Sequence, residues 1–229
     1  MNYPGQKNIP GVIQKIVNEI PPFINFHEPF AGSAAVSTFL AVRSMAAIRF
    51  HLNDLDPELA DIIDYPEGSI ITNMNALDYI NMFIGTPASD NDFIFLDPPY
   101  LHSTRPDNTN LYKFEMKAYD HFVLLARVKL LQCPCMIIHP KNDMYDRMLT
   151  GFRQVQVTIR YHQKTSYEVM YMNYPKPEFL HTFTMAGTDS WDRQRIKRKG
   201  DRLVAKILAL PAIERNYLLD RLKKELKNR

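Results

Sequence analysis

"FIFLDPPYLHSTR", residues 93–105, decides how this chain is read. Phe93 to Leu96 have the makeup of a buried strand. The two prolines after Asp97 cannot donate to a ladder, so the strand must stop there. Beyond the strand runs a stiff backbone with an acid at its entrance and the Tyr100 ring at its exit. On either side, "FINFHE" (23–28), "IRFHLND" (48–54), "SIITN" (69–73) and "CMIIH" (135–139) share the nearly continuous apolar character of "DFIFLD" (92–97), which marks a parallel sheet covered on both faces. Helical patterns fall between them, near 34–46, 57–64, 76–84, 117–131 and 142–149. "VQVTIRY" (155–161) and "SYEVMYMNY" (166–174) predict an antiparallel hairpin. Strands alternating with helices give an α/β fold: an open, doubly wound, mostly parallel sheet closed by that C-terminal hairpin. The body is predicted over 1–188. Residues 189–229 form a separate extension of two helices, interrupted at Pro211.

The charge divides along the same line. Residues 1–192 hold 15 Lys/Arg against 21 Asp/Glu, whereas 193–229 hold 13 against 4, within a net charge of +3. A mildly acidic body with a strongly basic tail fits a polyanionic partner, and a solvated helical face is the alternative reading. No uncharged apolar run reaches the length of a membrane span, and "MNYPGQKNIP" lacks the basic start and apolar middle of a secretion signal, so a cytoplasmic protein is expected. Cys133 and Cys135 lie one residue apart, on one face of a strand. They are expected in the core of a protein from a reducing compartment, with no metal site.

In a doubly wound sheet, ligands collect beyond the carboxyl ends of the strands. Glu28, Asp54 and Asp97 end the first, second and fourth predicted strands, so three acids share one rim. "EPFAGSAAVS" (28–37) leads from a strand through Gly32 into a helix, a turn that lets backbone approach a ligand. It is neither a P-loop, having no Gly-Lys-Ser/Thr, nor a dinucleotide fingerprint, because Gly32 is its only glycine. In "LNDLDPEL" (52–59), Asp54 is placed to accept ribose hydroxyls, while Asp56 reads as a helix cap. At "DPPY", Asp97 and the Pro98 carbonyl, held still by Pro99, form two acceptors that can draw the hydrogens of an exocyclic amine. The nitrogen is thereby bent toward tetrahedral geometry and its lone pair freed. Tyr100 is positioned to stack on a base held outside its duplex.

The order "EPFAGS", "ND", "DPPY" resembles the DNA adenine methylase family of S-adenosylmethionine-dependent N6-adenine methyltransferases, in the manner of its small, phage-type members. The likeness extends to "YPGQK" (3–7), "LHSTR" (101–105), "YKFEMKAYDH" (112–121), "MYDRMLTGF" (144–152), "EVMYMNYP" (168–175) and the basic "RQRIKRK…LPAIERNYLLDRL" of the tail. The resemblance implies a Rossmann-like methyltransferase domain with S-adenosyl-L-methionine as cofactor and double-stranded DNA as partner. It implies no membrane and no obligate protein partner. Tyr3 and Lys7 would close over the cofactor. Glu28, Pro29, Phe30, Ala31, Gly32, Ser33 and Asp54 would hold it, with Asn75 and Ala76 beside its adenine. Asp97, Pro98, Pro99 and Tyr100 would hold the target amine opposite the methyl sulfonium, so that proximity supplies much of the acceleration.

The chain departs from the family's pattern at Ala34, where a second glycine is usual, at Asn75, where an acid is common, and at His139-Pro140. "YINMFIGTPASDN" (79–91) leaves room for only a helix and a loop where larger members carry a recognition domain. Nucleic-acid contacts are therefore assigned to His102, Arg105, Asn108 and Asn110 of the following loop and to Arg193, Arg195, Lys197, Arg198 and Lys199 of the tail. The stripe Leu203, Ile207, Leu210, Ile213, Leu218, Leu219 and Leu222 predicts helices packed together or on the body. Two readings stand beside N6-adenine methylation of DNA. One is methyl transfer to RNA adenine, cytosine N4 or a glutamine side chain. The other is a DNA-binding protein whose catalysis has decayed.

Overall fold

A computed structural model describes residues 7–43, 47–87, 89, 91–105, 110–161, 164–187 and 189–227. Seven strands form one sheet in the order β3-β2-β1-β4-β5-β7-β6. They are β1 (Asn25–Glu28), β2 (Arg49–Asn53), β3 (Ile70–Thr72), β4 (Asp92–Leu96), β5 (Cys135–Pro140), β6 (Arg153–Tyr161) and β7 (Lys164–Met172). The first five run parallel, β7 pairs antiparallel with β5, and β6 with β7. This is the doubly wound sheet with a C-terminal hairpin that the strand pattern predicts. The hairpin is longer at its start than the sequence pattern indicates, because Arg153 and Gln154 already pair with Met172 and Tyr171.

The order reverses at β1: the chain builds β1, β2, β3 outward on one side and then returns to lay β4 on the other. Helices α2 (Ala35–Arg43), α3 (Leu59–Ile62), α4 (Ala76–Asn81), α5 (Ala118–Val128) and α6 (Asp143–Met148) make the crossovers. The last four are shorter than their sequence patterns, while the predicted end of α2 lies outside the described residues. A further helix, α1 (Val12–Val17), escapes that pattern; it buries Val12, Ile13, Ile16 and Val17. One core forms around Phe26, Phe93, Phe95 and Leu40, a second around Leu124, Leu125, Ile137 and Tyr145. Cys133 and Cys135 are free thiols buried in the second, as expected of core residues. His139, also buried, has its ring over that of Tyr145 with centroids 4.1 Å apart.

The chain divides into compact units Met1–Thr182 and Phe183–Arg229, six residues earlier than the predicted boundary, so that the 3₁₀ turn Phe183–Met185 belongs with the extension. The second unit contains α7 (Ser190–Leu208) and α8 (Ala212–Lys227), broken at Pro211 as predicted. Asp189 caps α7 by accepting the Asp192 amide at 2.8 Å. Within α7 no residue is buried, and Leu203, Ile213 and Leu222 of the predicted apolar stripe are exposed. No helix among the described residues is long and apolar enough to cross a membrane.

Candidate active site

A cavity of about 280 Å³ opens at the carboxyl ends of β1, β2 and β4, where the strand order reverses. That crevice is where a doubly wound sheet collects its ligand. Its wall includes Lys7, Glu28 to Ser33, Asp54, Asn75, Ala76, Asp97 and Pro99. All the residues assigned to the cofactor therefore meet at one cavity, except Tyr3, which lies outside the described residues. Leu111, Tyr112, Phe114 and Met116 close the remaining side.

The floor is tied together by backbone groups. Asp54 accepts the Gly32 amide at 2.8 Å and the Asp56 amide at 3.0 Å, one bond per carboxylate oxygen, which leaves lone pairs free toward the cavity. Asn53, fully buried, donates to the carbonyls of Pro29 and Met74 and accepts from the Thr72 hydroxyl and the Met74 amide. It thus pins the ends of β1, β2 and β3 to one another, a role no sequence motif signals. Asn75 accepts the Leu77 amide at 2.8 Å and caps α4. Ala34 is buried with φ of 49°, a left-handed conformation that favours glycine; its side chain is not on the cavity wall. The departure at position 34 therefore strains the backbone rather than crowding the cavity. The N-cap residue of α3 is Glu58, whose amide donates to the Asp56 carboxylate at 3.2 Å, so Asp56 caps the turn just before the helix; it also pairs with Lys113 at 2.9 Å.

Glu28 carries its carboxyl 3% exposed at the end of β1, accepting a short hydrogen bond from Ser37. Burial pushes it up to about 8 against the Ser37 bond, with Asp97 and Asp54 adding to the rise. At neutral pH it is mostly a neutral acid.

Asp97 follows the last residue of β4 and meets the Lys7 ammonium at 2.9 Å. Burial lifts the Asp97 carboxyl to about 6, opposed by Lys7 and reinforced by Glu168. Burial alone would lower the Lys7 ammonium, but Asp97 and Glu168 outweigh it and hold the cation charged. Lys7 also donates to the Tyr100 hydroxyl at 3.0 Å, and that hydroxyl donates a short hydrogen bond to Glu168. Glu168, on β7, is 2% exposed and is not among the site residues expected from sequence. Its one signal there is the family-like stretch "EVMYMNYP"; a lone strand glutamate carries none. Pro98 and Tyr100 are not in the cavity lining: Pro98 is buried, and the Tyr100 ring stands edge-on to Tyr112 and His139.

The exit of the motif is clamped. The Leu101 amide donates to His139 Nε2 at 3.0 Å, so the ring proton sits on Nδ1, facing the Pro140 carbonyl at 2.8 Å. Burial pushes His139 down to about 3, so it stays neutral and serves as an acceptor. Arg105 is the clear correction to the sequence reading. Its side chain is 1% exposed and forks onto Glu115, while Nε donates to the Tyr100 carbonyl at 2.9 Å. Glu115 in turn accepts the Leu111 and Tyr112 amides, and the Arg105 bonds bring its carboxyl down to about 2. Arg105 thus braces the loop inward and presents no charge to a phosphate. His102 is part-exposed, 3.6 Å from Glu115; Asn108 lies outside the described residues. Arg195, Lys197, Arg198 and Lys199 are exposed along α7 and Arg193 is half-buried there; Arg195 pairs with Asp192 at 2.7 Å.

No family model and no curated protein matches the chain. Among solved structures, it is similar to TrmK of M. capricolum in complex with S-adenosyl-homocysteine, at 8% identity and TM-score 0.45, covering 96% of this chain and 97% of that one. TrmN from Thermus thermophilus aligns at 14% identity and TM-score 0.44 over 70% of this chain and 46% of its own length. A SAM-dependent O-methyltransferase from Thermotoga maritima aligns at 12% identity and TM-score 0.42, over 73% and 65%. Identities and scores are low throughout, and none of the three fixes a residue of this site.

Proposed function

We propose that this protein transfers a methyl group from S-adenosylmethionine to the N6 amine of adenine in DNA. The observation that carries the reading is the nitrogen now on Asp97: the Lys7 ammonium donates to its carboxylate at 2.9 Å on the cavity wall, at the strand end followed by two prolines. An acceptor so placed, desolvated and fixed, is suited to draw hydrogens from an amine without reorganising during the step. The cavity wall carries the carboxylates Asp54, Asp56 and Asp97, which suits a cofactor carrying a sulfonium and an ammonium.

S-Adenosylmethionine would lie between Gly32 and Ala76, its ribose hydroxyls against Asp54. It supplies an electrophilic methyl group. Asp97 and the Pro98 carbonyl would accept the two amine hydrogens, and Tyr100 would border the base. After transfer the nitrogen bears an extra proton, which Asp97 or water takes. Nucleic acid is favoured over protein by the thirteen Lys/Arg of 193–229 against four acids. DNA over RNA rests on the motif resemblance alone.

The test is transfer of labelled methyl from S-adenosylmethionine to unmethylated duplex DNA, digested to nucleosides. N6-methyladenine that disappears in Asp97→Ala is the expected result. Label on RNA, on cytosine or on protein would keep the methyl transfer and change the substrate. Near-normal turnover by Asp97→Ala would remove the mechanism.

A further inference from the structure

Glu168 takes no part in the amine chemistry proposed for this site, yet its side-chain hydrogen bonds and ion pairs all go to groups that do. Its Oε1 accepts from the Tyr100 hydroxyl and from Lys7 at 3.5 Å. Its Oε2 is buried without a hydrogen bond, although the Lys7 ammonium lies only 3.3 Å away. The two observations agree: the cation is within ion-pair reach of Oε2 but is not directed at it. Its best-aimed carboxylate contact is with Asp97, at 2.9 Å.

Two carboxylates thus share one buried ammonium, which lies on Oδ1 of Asp97, a side chain 19% exposed on the cavity wall. A substrate amine that takes this oxygen displaces Lys7 from it. A buried ammonium cannot simply be left without a partner, since an uncompensated charge there costs several kcal/mol, about 3–5 where a buried pair is broken. Nor can it swing far. Lys7 belongs to the segment leading into α1, and its Nζ is already held 5.1 Å from the Tyr100 ring centroid. Among the described residues, the acceptor beside Lys7 that still lacks a hydrogen bond is Glu168 Oε2, 3.3 Å away.

We propose that Glu168 is the positioning residue of the amine site: it fixes the Tyr100 hydroxyl and takes over the Lys7 ammonium when a substrate amine replaces it on Asp97. This rests on the reading of the site as an amine methyltransferase. It gives the antiparallel hairpin a purpose beyond closing the sheet, because only β7, returning beside β5, brings a side chain of residue 168 to the end of β4. The groups facing Asp97 are Lys7 from the N-terminal segment, Glu168 from β7, Glu28 from β1, Tyr100, Tyr112 and Tyr145. Of these, Lys7 and Glu168 carry the charges that trade places.

The test uses Glu168→Gln, Lys7→Met and the double variant of the full chain, each first shown to be folded by circular dichroism. Glu168→Gln keeps an acceptor for Tyr100 and removes the charge that receives Lys7. Single-turnover transfer should fall about 10–100-fold, with the KM for S-adenosylmethionine changed less than about 2-fold. In the Lys7→Met background there is no ammonium to relocate, so the same replacement should change the rate less than about 3-fold. Equal losses in both backgrounds would overturn the proposal. A second readout needs no turnover: the Asp97 carboxyl followed by carbon-13 NMR across pH in the free protein. Its titration should move to lower pH in Glu168→Gln and to higher pH in Lys7→Met. Should Glu168→Gln fail to fold, Glu168→Ala takes its place, with the same shift of the Asp97 titration to lower pH expected. If the wild type transfers no methyl to any amine, the functional reading falls by itself. An Asp97 that titrates unchanged in the folded variants overturns the role of Glu168 whatever the turnover.

Discussion

Replacing Glu28 by Gln should make this protein more stable at pH 8 and leave it nearly unchanged at pH 4. The carboxyl is 3% exposed; it meets the Ser37 hydroxyl and, at longer range, the acids Asp97 and Asp54. Its ordinary value of 4.5 is raised to about 8. Below pH 4.5 the folded and unfolded chains are both protonated there, and the group contributes nothing to pH dependence. Between 4.5 and 8 the folded protein holds a proton that the unfolded chain has released, so stability falls as pH rises. Above 8 both are ionised and the full penalty is in place. At ~1.4 kcal/mol per pH unit the interval corresponds to ~5 kcal/mol as an upper bound. Relaxation and water entry reduce that to ~2 kcal/mol, or ~4–8 °C in Tm for a chain of this size. Glutamine keeps an oxygen for Ser37 and cannot ionise, so its curve lacks the slope. Calorimetric melting of both proteins at half-unit steps from pH 4 to 9 decides the matter. Curves that run parallel throughout, or a variant less stable at every pH, would refute the buried neutral acid.

Arg105→Ala should cost ~1.5–3 kcal/mol, since Glu115 is part-exposed and keeps the Leu111 and Tyr112 amides, and should leave the salt dependence of DNA binding unchanged; denaturant melts and binding across salt concentrations read the two effects separately. Ala34→Gly should stabilise by ~0.5–1 kcal/mol, because relief of the left-handed strain (~1–2) exceeds the added freedom of glycine in the unfolded chain (~0.5–1); a raised denaturation midpoint with unchanged slope is the sign. Neutralising Lys197, Arg198 and Lys199 together by glutamine should weaken DNA binding and reduce the magnitude of its log-salt slope by up to ~3, at ~0.9 for each phosphate no longer neutralised. An unchanged slope would return α7 to a structural role.

The sheet was legible because its central strands are buried on both faces, and apolar runs such as "DFIFLD" have few other uses in a chain of this length. The strand order was not, because apolar runs show which segments are strands but not which are neighbours. Helix α1 was not: Val12, Ile13, Ile16 and Val17 recur with helical spacing, but four β-branched residues in six positions argue as much for a strand. Arg105 misled because a cation in a polar loop is read as facing solvent. Its partner Glu115 lies ten residues on, across a turn that no local pattern encodes. Glu168 was hidden for a longer-range reason. It meets Tyr100 across 68 residues and Lys7 across 161, and only the antiparallel hairpin register makes them neighbours. The tail was legible as two helices because Pro211 interrupts an otherwise helical pattern.

The charge arrangement at Asp97 answers two demands that oppose each other. An acceptor that draws on an amine must be ionised near neutral pH, and it acts most strongly where water is excluded. Exclusion of water works against ionisation, and here burial lifts the carboxyl to about 6 even with a cation beside it. The counter-charge is therefore required; yet a cation fixed on the sheet would occupy the acceptor for good. Lys7 avoids this because it stands outside the strands, on the segment before α1, at the end of a long side chain. The second carboxylate then has a reason to be there as well. With Lys7 shared between Asp97 and Glu168, the cation can be displaced from one acid without leaving the other's field, and Asp97 stays ionised at the moment the amine arrives.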